Sequence, residues 1–301
     1  MLSIISGACL LGLQYALLAL GVYITFRVLN IPDLTVDGSF TFGIAVSSVL
    51  CFNGHPFLGI LAAVGAGLLA GTVTGLLQTK AGIHPILAGI LTMSGLYTVN
   101  ITVMGAPNVS LIGKTRFFDF FAKLMSNADK DIPKIILIAV VCIVIVILLI
   151  MFFKTVLGLC IRATGNNEDM VRASSINTQL TTIIALALSN GLVGLSGAII
   201  TQTQGYADVN AGSGMIVVGL ASVIIGEVIF GKRSLTIGLI SAVVGSVIYR
   251  LIIAIALESN IFSANALKLI SAVIVAVTLS IPAIKKAISN HKLKREGLRN
   301  A

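Results

Sequence analysis

The sequence contains no tryptophan, only three histidines, four cysteines and six prolines, and Asp, Glu, Lys and Arg together make up just 10% of it. Each shortage closes off a class of function. A soluble globular domain carries about 25% charged residues, so the chain does not read as one. His55, His84 and His291 form no H-x-x-x-H pair and have no cysteine at ligand spacing, which argues against a metal centre. Cys9, Cys51, Cys142 and Cys160 share no short spacing and read as small apolar fillers. No G-x-S-x-G elbow is present. Gly113-Lys114-Thr115 ends like a phosphate-binding loop, but Asn108 stands where that motif needs its first glycine. The chain therefore reads as a non-enzyme, with no cofactor or nucleotide site of its own.

What is present is apolar. Hydrophobic residues make up 57% of the chain, in long runs separated by short polar junctions, the layout of a chain whose solvent is lipid. No Pro-, Ser- or Gly-rich linker interrupts the pattern, so residues 1–301 read as one transmembrane domain. At about 20 apolar residues per crossing, the candidate spans are 3–26, 40–52, 57–77, 85–104, 135–153, 181–200, 215–230, 235–255 and 267–284. The second and seventh are short enough to be half-helices. The expected fold class is an all-α polytopic membrane protein with about 8–10 transmembrane helices. Residues 1–20 lack a basic leader region and read as a retained span.

Charge at the junctions sets an expected orientation. Arg27, Lys80, Lys154, Arg162, Arg172, Lys232 and Arg233 fall on one side with the basic tail 285–301, which places that side in the cytoplasm and the N-terminus outside. The net charge of +9 is concentrated in that tail, where Lys285, Lys286, Lys292, Lys294, Arg295 and Arg299 follow an apolar run with no interleaved aromatics. It reads as a membrane flank and not as a nucleic-acid surface. The loop 105–134 conflicts with the rule, since it lies outside yet holds five basic residues; a surface helix is expected near 117–125.

Polar groups inside apolar spans need a reason, because a charge in the bilayer core costs about 2.5–3.5 kcal/mol. Asp33 and Asp37, Asn190, Glu227 and Arg250 are the candidates. Glu227 lies near enough to Lys232 to reach the cytoplasmic interface, and Arg250 reads as snorkelling outward or pairing with Glu258. Around Pro32 the stretch 27–38 reads as a helix break, with Asp33, Thr35 and Asp37 available to cap a helix starting near Ser39. Such breaks line cavities or end in plain turns. Asp33, Asp37, Asn190 and Glu227 are thus candidate pathway residues. Gly67, Gly71 and Gly75, and likewise Gly191, Gly194 and Gly197, place small residues on one helical face for close packing.

The segment 158–178 carries the most order. Gly165 breaks the chain, Asn166 or Asn167 caps a short helix, and Glu168 and Asp169 occupy its first turn. The expected result is an amphipathic cytoplasmic helix with Arg172 outward and Met170, Val171 and Ile176 packed inward.

The pattern R-A-x-G-x-N-x-x-x-x-x-A-x-x-x-N, filled by Arg162, Ala163, Gly165, Asn167, Ala173 and Asn177, resembles the ATPase-docking loop of the branched-chain amino acid and ribose permease superfamily of bacterial ABC transporters. V-L-N-I-P-D-L-T-V-D-G-S-F, Val28 to Phe40, resembles the subgroup whose permeases work with tryptophan/tyrosine-type binding proteins. One departure is Ser175, where many relatives carry Gly. The resemblance implies a type II-like importer fold in the cell membrane. It implies a homodimer of permeases, two cytoplasmic ATPases carrying ATP-Mg, and an extracytoplasmic binding protein that delivers a small solute, an amino acid and by analogy an aromatic one. Arg162, Gly165, Asn167, Glu168, Asp169 and Arg172 would then couple to the ATPase. The rival expectation is an ion-coupled secondary transporter using Asp37, Glu227 or Arg250.

Overall fold

The computed structural model describes residues 2–119, 132–231 and 234–258, with residues 272, 273, 276, 277 and 280. The expected span 267–284 (apart from those five), the helix beyond 119, Lys232, Arg233 and the tail 285–301 lie outside the described residues.

The chain is a helical bundle. Its elements are α1 (Leu2–Tyr23), ending in a π-helical turn (Ile24–Val28); α2 (Thr35–Phe52); α3 (Pro56–Thr79); α4 (Pro85–Met104); β1 (Asn108–Ser110); α5 (Ile132–Lys154); α6 (Val156–Asn166); α7 (Glu168–Ala173); α8 (Thr178–Gln204); β2 (Tyr206–Asp208); α9 (Met215–Phe230); and α10 (Leu235–Glu258). Seven of these helices are long and apolar enough to cross a membrane, and α9, at 16 residues, is shorter. Backbone donors and acceptors have no water to meet in lipid, so spanning segments close their hydrogen bonds within the helix.

Local chemistry sets the ends. Pro56 and Pro85 open α3 and α4 at the position where a missing amide hydrogen costs nothing. Gly105 and Gly205, at φ 70° and 79°, close α4 and α8 in the left-handed region. The second helix starts at Thr35, a turn before the expected Ser39, because Asp33 Oδ1 accepts the Thr35 amide at 2.9 Å. The Thr35 hydroxyl also enters a chain with Thr74 (2.8 Å) and, through it, Thr92 (3.0 Å) that ties α2, α3 and α4 together.

The centre is α8, the most buried span. Gly67, Gly71 and Gly75 on α3 meet the α8 backbone at Asn190, Leu186 and Ile183, where an added Cβ would collide. Gly191, Gly194 and Gly197 of α8 face Leu68, Ala63 and Phe40 in return. Without a hydrophobic drive between helices in lipid, such backbone approach is what holds them. Cys51 and Cys142 are buried, and their thiols donate to the carbonyls of Thr115 (3.5 Å) and Leu13 (3.3 Å).

Two ends can be told apart. At one, β1 pairs antiparallel with β2, joining the segments after α4 and α8. At the other, α6 and α7 lie beneath the bundle, and the Gln179 side chain donates to the Thr79 carbonyl to join α8 to α3.

Candidate functional site

At the α6–α7 end, the expected break at Gly165 is absent. Gly165 lies within α6, and the chain turns one residue after that helix ends, at Asn167, where φ is −159°. Asn167 Oδ1 caps α7 by accepting the Met170 amide at 3.0 Å, and Glu168 and Asp169 fill its first turn. Gly165 is small for a different reason: a Cβ there would overlap the Val28 carbonyl and crowd Leu29. The helix α6 therefore seats its backbone directly on the π-helical turn of α1.

The helix α7 is braced by an ion pair within itself and tied to α8 by one hydrogen bond. Arg172 pairs with Glu168 at 2.6 Å, and the Thr178 hydroxyl donates to the same carboxylate at 3.2 Å. Val171 is buried as expected, but Met170 is 59% exposed and points away from the protein. One turn of helix cannot bury adjacent positions on the same side, and Val171 takes the inward one. Ser175 adopts φ 61°, a left-handed conformation that glycine enters without strain.

Arg27, on the π-helical turn, forms a two-pronged ion pair with Glu227 near the end of α9. The pair borders a cavity of about 380 Å³ whose walls include Tyr23, Arg162, Asn166 and Ser234. Arg162 of α6 thus shares a cavity with Glu227, although it makes no hydrogen bond among the described residues. The partner of Glu227 lies 200 residues away in sequence, a pairing the sequence did not point to.

The remaining pathway candidates sit deeper. Asp33 is buried at 3% exposure, and its second oxygen accepts the Asn190 amide at 2.7 Å, tying the helix break to α8. Asp37 caps a different helix from its own. Its two carboxylate oxygens accept the Gly214 and Ile216 amides at 2.9 and 2.8 Å, holding the start of α9; a carboxylate there also opposes the positive end of the helix dipole. Asp37 borders a second cavity, of about 410 Å³, between α2, α4 and the segment joining β2 to α9. Ser94, Tyr97 and Asn100 of α4 line it too, none of them singled out by the sequence. The available signal was the density of Ser, Thr, Asn and Tyr in 92–102, high for a span. Arg250 does not meet Glu258: its guanidinium sits over the Tyr15 ring, 4.0 Å from the centroid, a cation–π contact. Among the described residues no group of acids, histidines and cysteines could hold a metal.

Comparison with known proteins follows the same lines. The chain is 35% identical over 270 residues to a tyrosine transport system permease protein of Clostridioides difficile, covering 89% of this chain and 88% of that one. It is 27% identical over 212 residues to a ribose import permease protein of Escherichia coli, covering 70% and 65%. An inward-facing ABC transporter, described as of the metal-chelate type, superposes with a TM-score of 0.49 at 15% identity, over 94% of this chain and 85% of that one. The family described as branched-chain amino acid transport system / permease component matches residues 4–280, and the chain belongs to that family of ABC transporter permeases.

Proposed function

We propose that this permease forms the pathway of an ATP-driven importer for an amino acid, delivered from outside by a binding protein. It would work as a homodimer of the type II-like architecture, with ATP-Mg held by two cytoplasmic ATPases. The α6–α7 end is then cytoplasmic and the β1–β2 end external. Amino-acid cargo is supported by the tyrosine permease relative and by the Val28–Phe40 stretch; the sugar permeases are more distant.

One observation carries the reading. The ordered α6–α7 pair presents Met170, Asp169 and Arg172 outward while Gly165 rests on the α1 backbone. A partner that grips α7 thereby moves α6, and α6 cannot move without α1. The displacement reaches Arg27 and its ion pair with Glu227, which joins α1 to α9 at the cytoplasmic mouth. ATP binding drives the switch to the extent that it favours one of the two arrangements. Arg162, Gly165, Asn167, Glu168, Asp169 and Arg172 form the coupling unit in this scheme, with Asn167 and Glu168 holding its shape.

An ion-coupled carrier is not favoured. Glu227 is neutralised by Arg27, Asp37 holds the start of α9, and Arg250 is engaged by Tyr15. The test is purification in mild detergent with an ABC ATPase encoded alongside. The ATPase is expected to co-purify, and its activity to rise with the binding protein. Solute transport by the permease with no ATPase attached would overturn the proposal.

A further inference from the structure

The cavity between α2, α4 and the segment joining β2 to α9 has the properties of a solute site and not of a packing defect. Its volume of about 410 Å³ falls in the range that holds one small molecule. An apolar void between helices would cost only lost contacts, whereas this one is bordered by Asp37, Ser94, Tyr97, Asn100, Asn210 and Ser213. Ser94, Tyr97, Asn210 and Ser213 are exposed, so the cavity is open, and in a membrane such polar groups need water or a ligand to meet them.

Asn100 fixes the chemistry most closely. It is 1% exposed, and its amide nitrogen donates to the Gly38 carbonyl at 3.3 Å. That bond sets the orientation of the amide, so its oxygen faces away from Gly38, and it has no partner among the described residues. A buried acceptor left unmet costs about 1–3 kcal/mol; the oxygen is closed off in this arrangement, and a ligand donor meets it once the Asn100 side chain turns toward the cavity. The neighbouring residue of Gly38 is Asp37, whose carboxylate is held by the start of α9 and contributes negative charge to the same wall. Tyr97, three residues before Asn100, has a side chain 51% exposed and offers a ring face to the space.

We propose that this cavity is a binding station for the transported solute. The solute presents an ammonium group, three donors on one centre, to Asn100 Oδ1 beside the Asp37 charge, and its side chain lies against Tyr97. Resting on the reading of the chain as an amino-acid importer, this adds where the cargo pauses and which of its groups is recognised.

The test uses the permease with its ATPase in lipid nanodiscs and radiolabelled L-tyrosine, L-leucine and L-alanine, each against its deaminated acid as competitor. The amino acids are expected to bind at least tenfold more tightly than their deaminated forms. Asn100→Leu is expected to remove that preference. Tyr97→Ala, at an exposed position that leaves the core alone, is expected to weaken L-tyrosine about tenfold and L-alanine little. Ser94→Trp, which fills the space, is expected to abolish binding while ATPase association stays intact. Equal binding of each amino acid and its deaminated form, or wild-type binding by both Tyr97→Ala and Ser94→Trp, would overturn the assignment. The functional reading is scored separately: ammonium-selective binding without ATP-driven uptake would contradict the importer and leave the site standing.

Discussion

The helices α4 and α5 are neighbours in sequence, both long enough to cross a membrane and both mostly uncovered by the rest of the chain. What they expose differs. The bare face of α5 is Val140, Ile143, Ile147, Leu148 and Met151, a surface matched to acyl chains. The bare face of α4 mixes Leu91 and Val99 with Ser94, Tyr97, Thr98 and Thr102. Thr102 donates its hydroxyl to the Thr98 carbonyl at 2.8 Å, but lipid gives Ser94 and Tyr97 nothing to bond, so exposure means different things on the two helices. For α5 it is a surface matched to the bilayer; for α4 it is a polar surface that lipid does not satisfy.

The most severe way to break this comparison is to place the same charge on both faces. Ile143→Arg, at the middle of α5, is expected to cost about 2.5–3.5 kcal/mol of insertion energy and to cut the yield of membrane-inserted protein sharply. Ser94→Arg, on α4, is expected to insert at close to the normal yield and to lose transport. Equally reduced yields, measured by quantitative blotting of purified membranes, would mean that both helices face lipid, and equally normal yields that neither does.

A smaller effect separates the α4 face from the α6–α7 end. Glu227→Gln leaves the Arg27 guanidinium without its ion pair, at an expected cost of about 1–3 kcal/mol. The expected outcome is near-normal basal ATPase with weakened stimulation by the binding protein. Combining it with Arg27→Leu should recover stability in a thermal melt, because the stranded charge is removed. If the double variant is no more stable than the single, the pair does not latch α1 to α9.

Next comes Arg172→Glu, at an exposed pair worth only about 0.3–0.5 kcal/mol to the fold. It should leave thermal stability unchanged and weaken ATPase association, measured by pull-down. The change with no expected effect on transport is Ser175→Gly, which relieves the left-handed backbone at φ 61° and should stabilise the solubilised protein by about 0.5–1 kcal/mol. It lies on neither α4 nor α5, so it calibrates how small a shift the melt can resolve.

The bundle was legible because lipid imposes simple rules. Apolar runs of about 20 residues marked the spans, and glycines at spacings of three and four marked the close-packing faces of α3 and α8, since both signals are local. The α6–α7 segment was legible in part. Its cap and acidic first turn follow from sequence, but Gly165 looked like a helix breaker and is a contact residue, a distinction that depends on Val28, far away in the chain. Asp37 read as a cap for its own helix and instead caps α9, reached across 177 residues. The face of α4 was the largest omission. Its hydroxyls were visible in the run 92–102, yet only folding shows that Tyr97 and Asn100 border the same space as Asp37 and Ser213.

The central claim is that a partner ATPase powers this pathway through α6 and α7. It is tested most directly by uptake into proteoliposomes containing the permease, the ATPase and the binding protein. The account predicts uptake of an amino acid that requires internal or external ATP at the ATPase face, persists when ion gradients are collapsed, and falls at least tenfold in Arg172→Glu. Uptake driven by a proton or sodium gradient in the absence of ATP would contradict it.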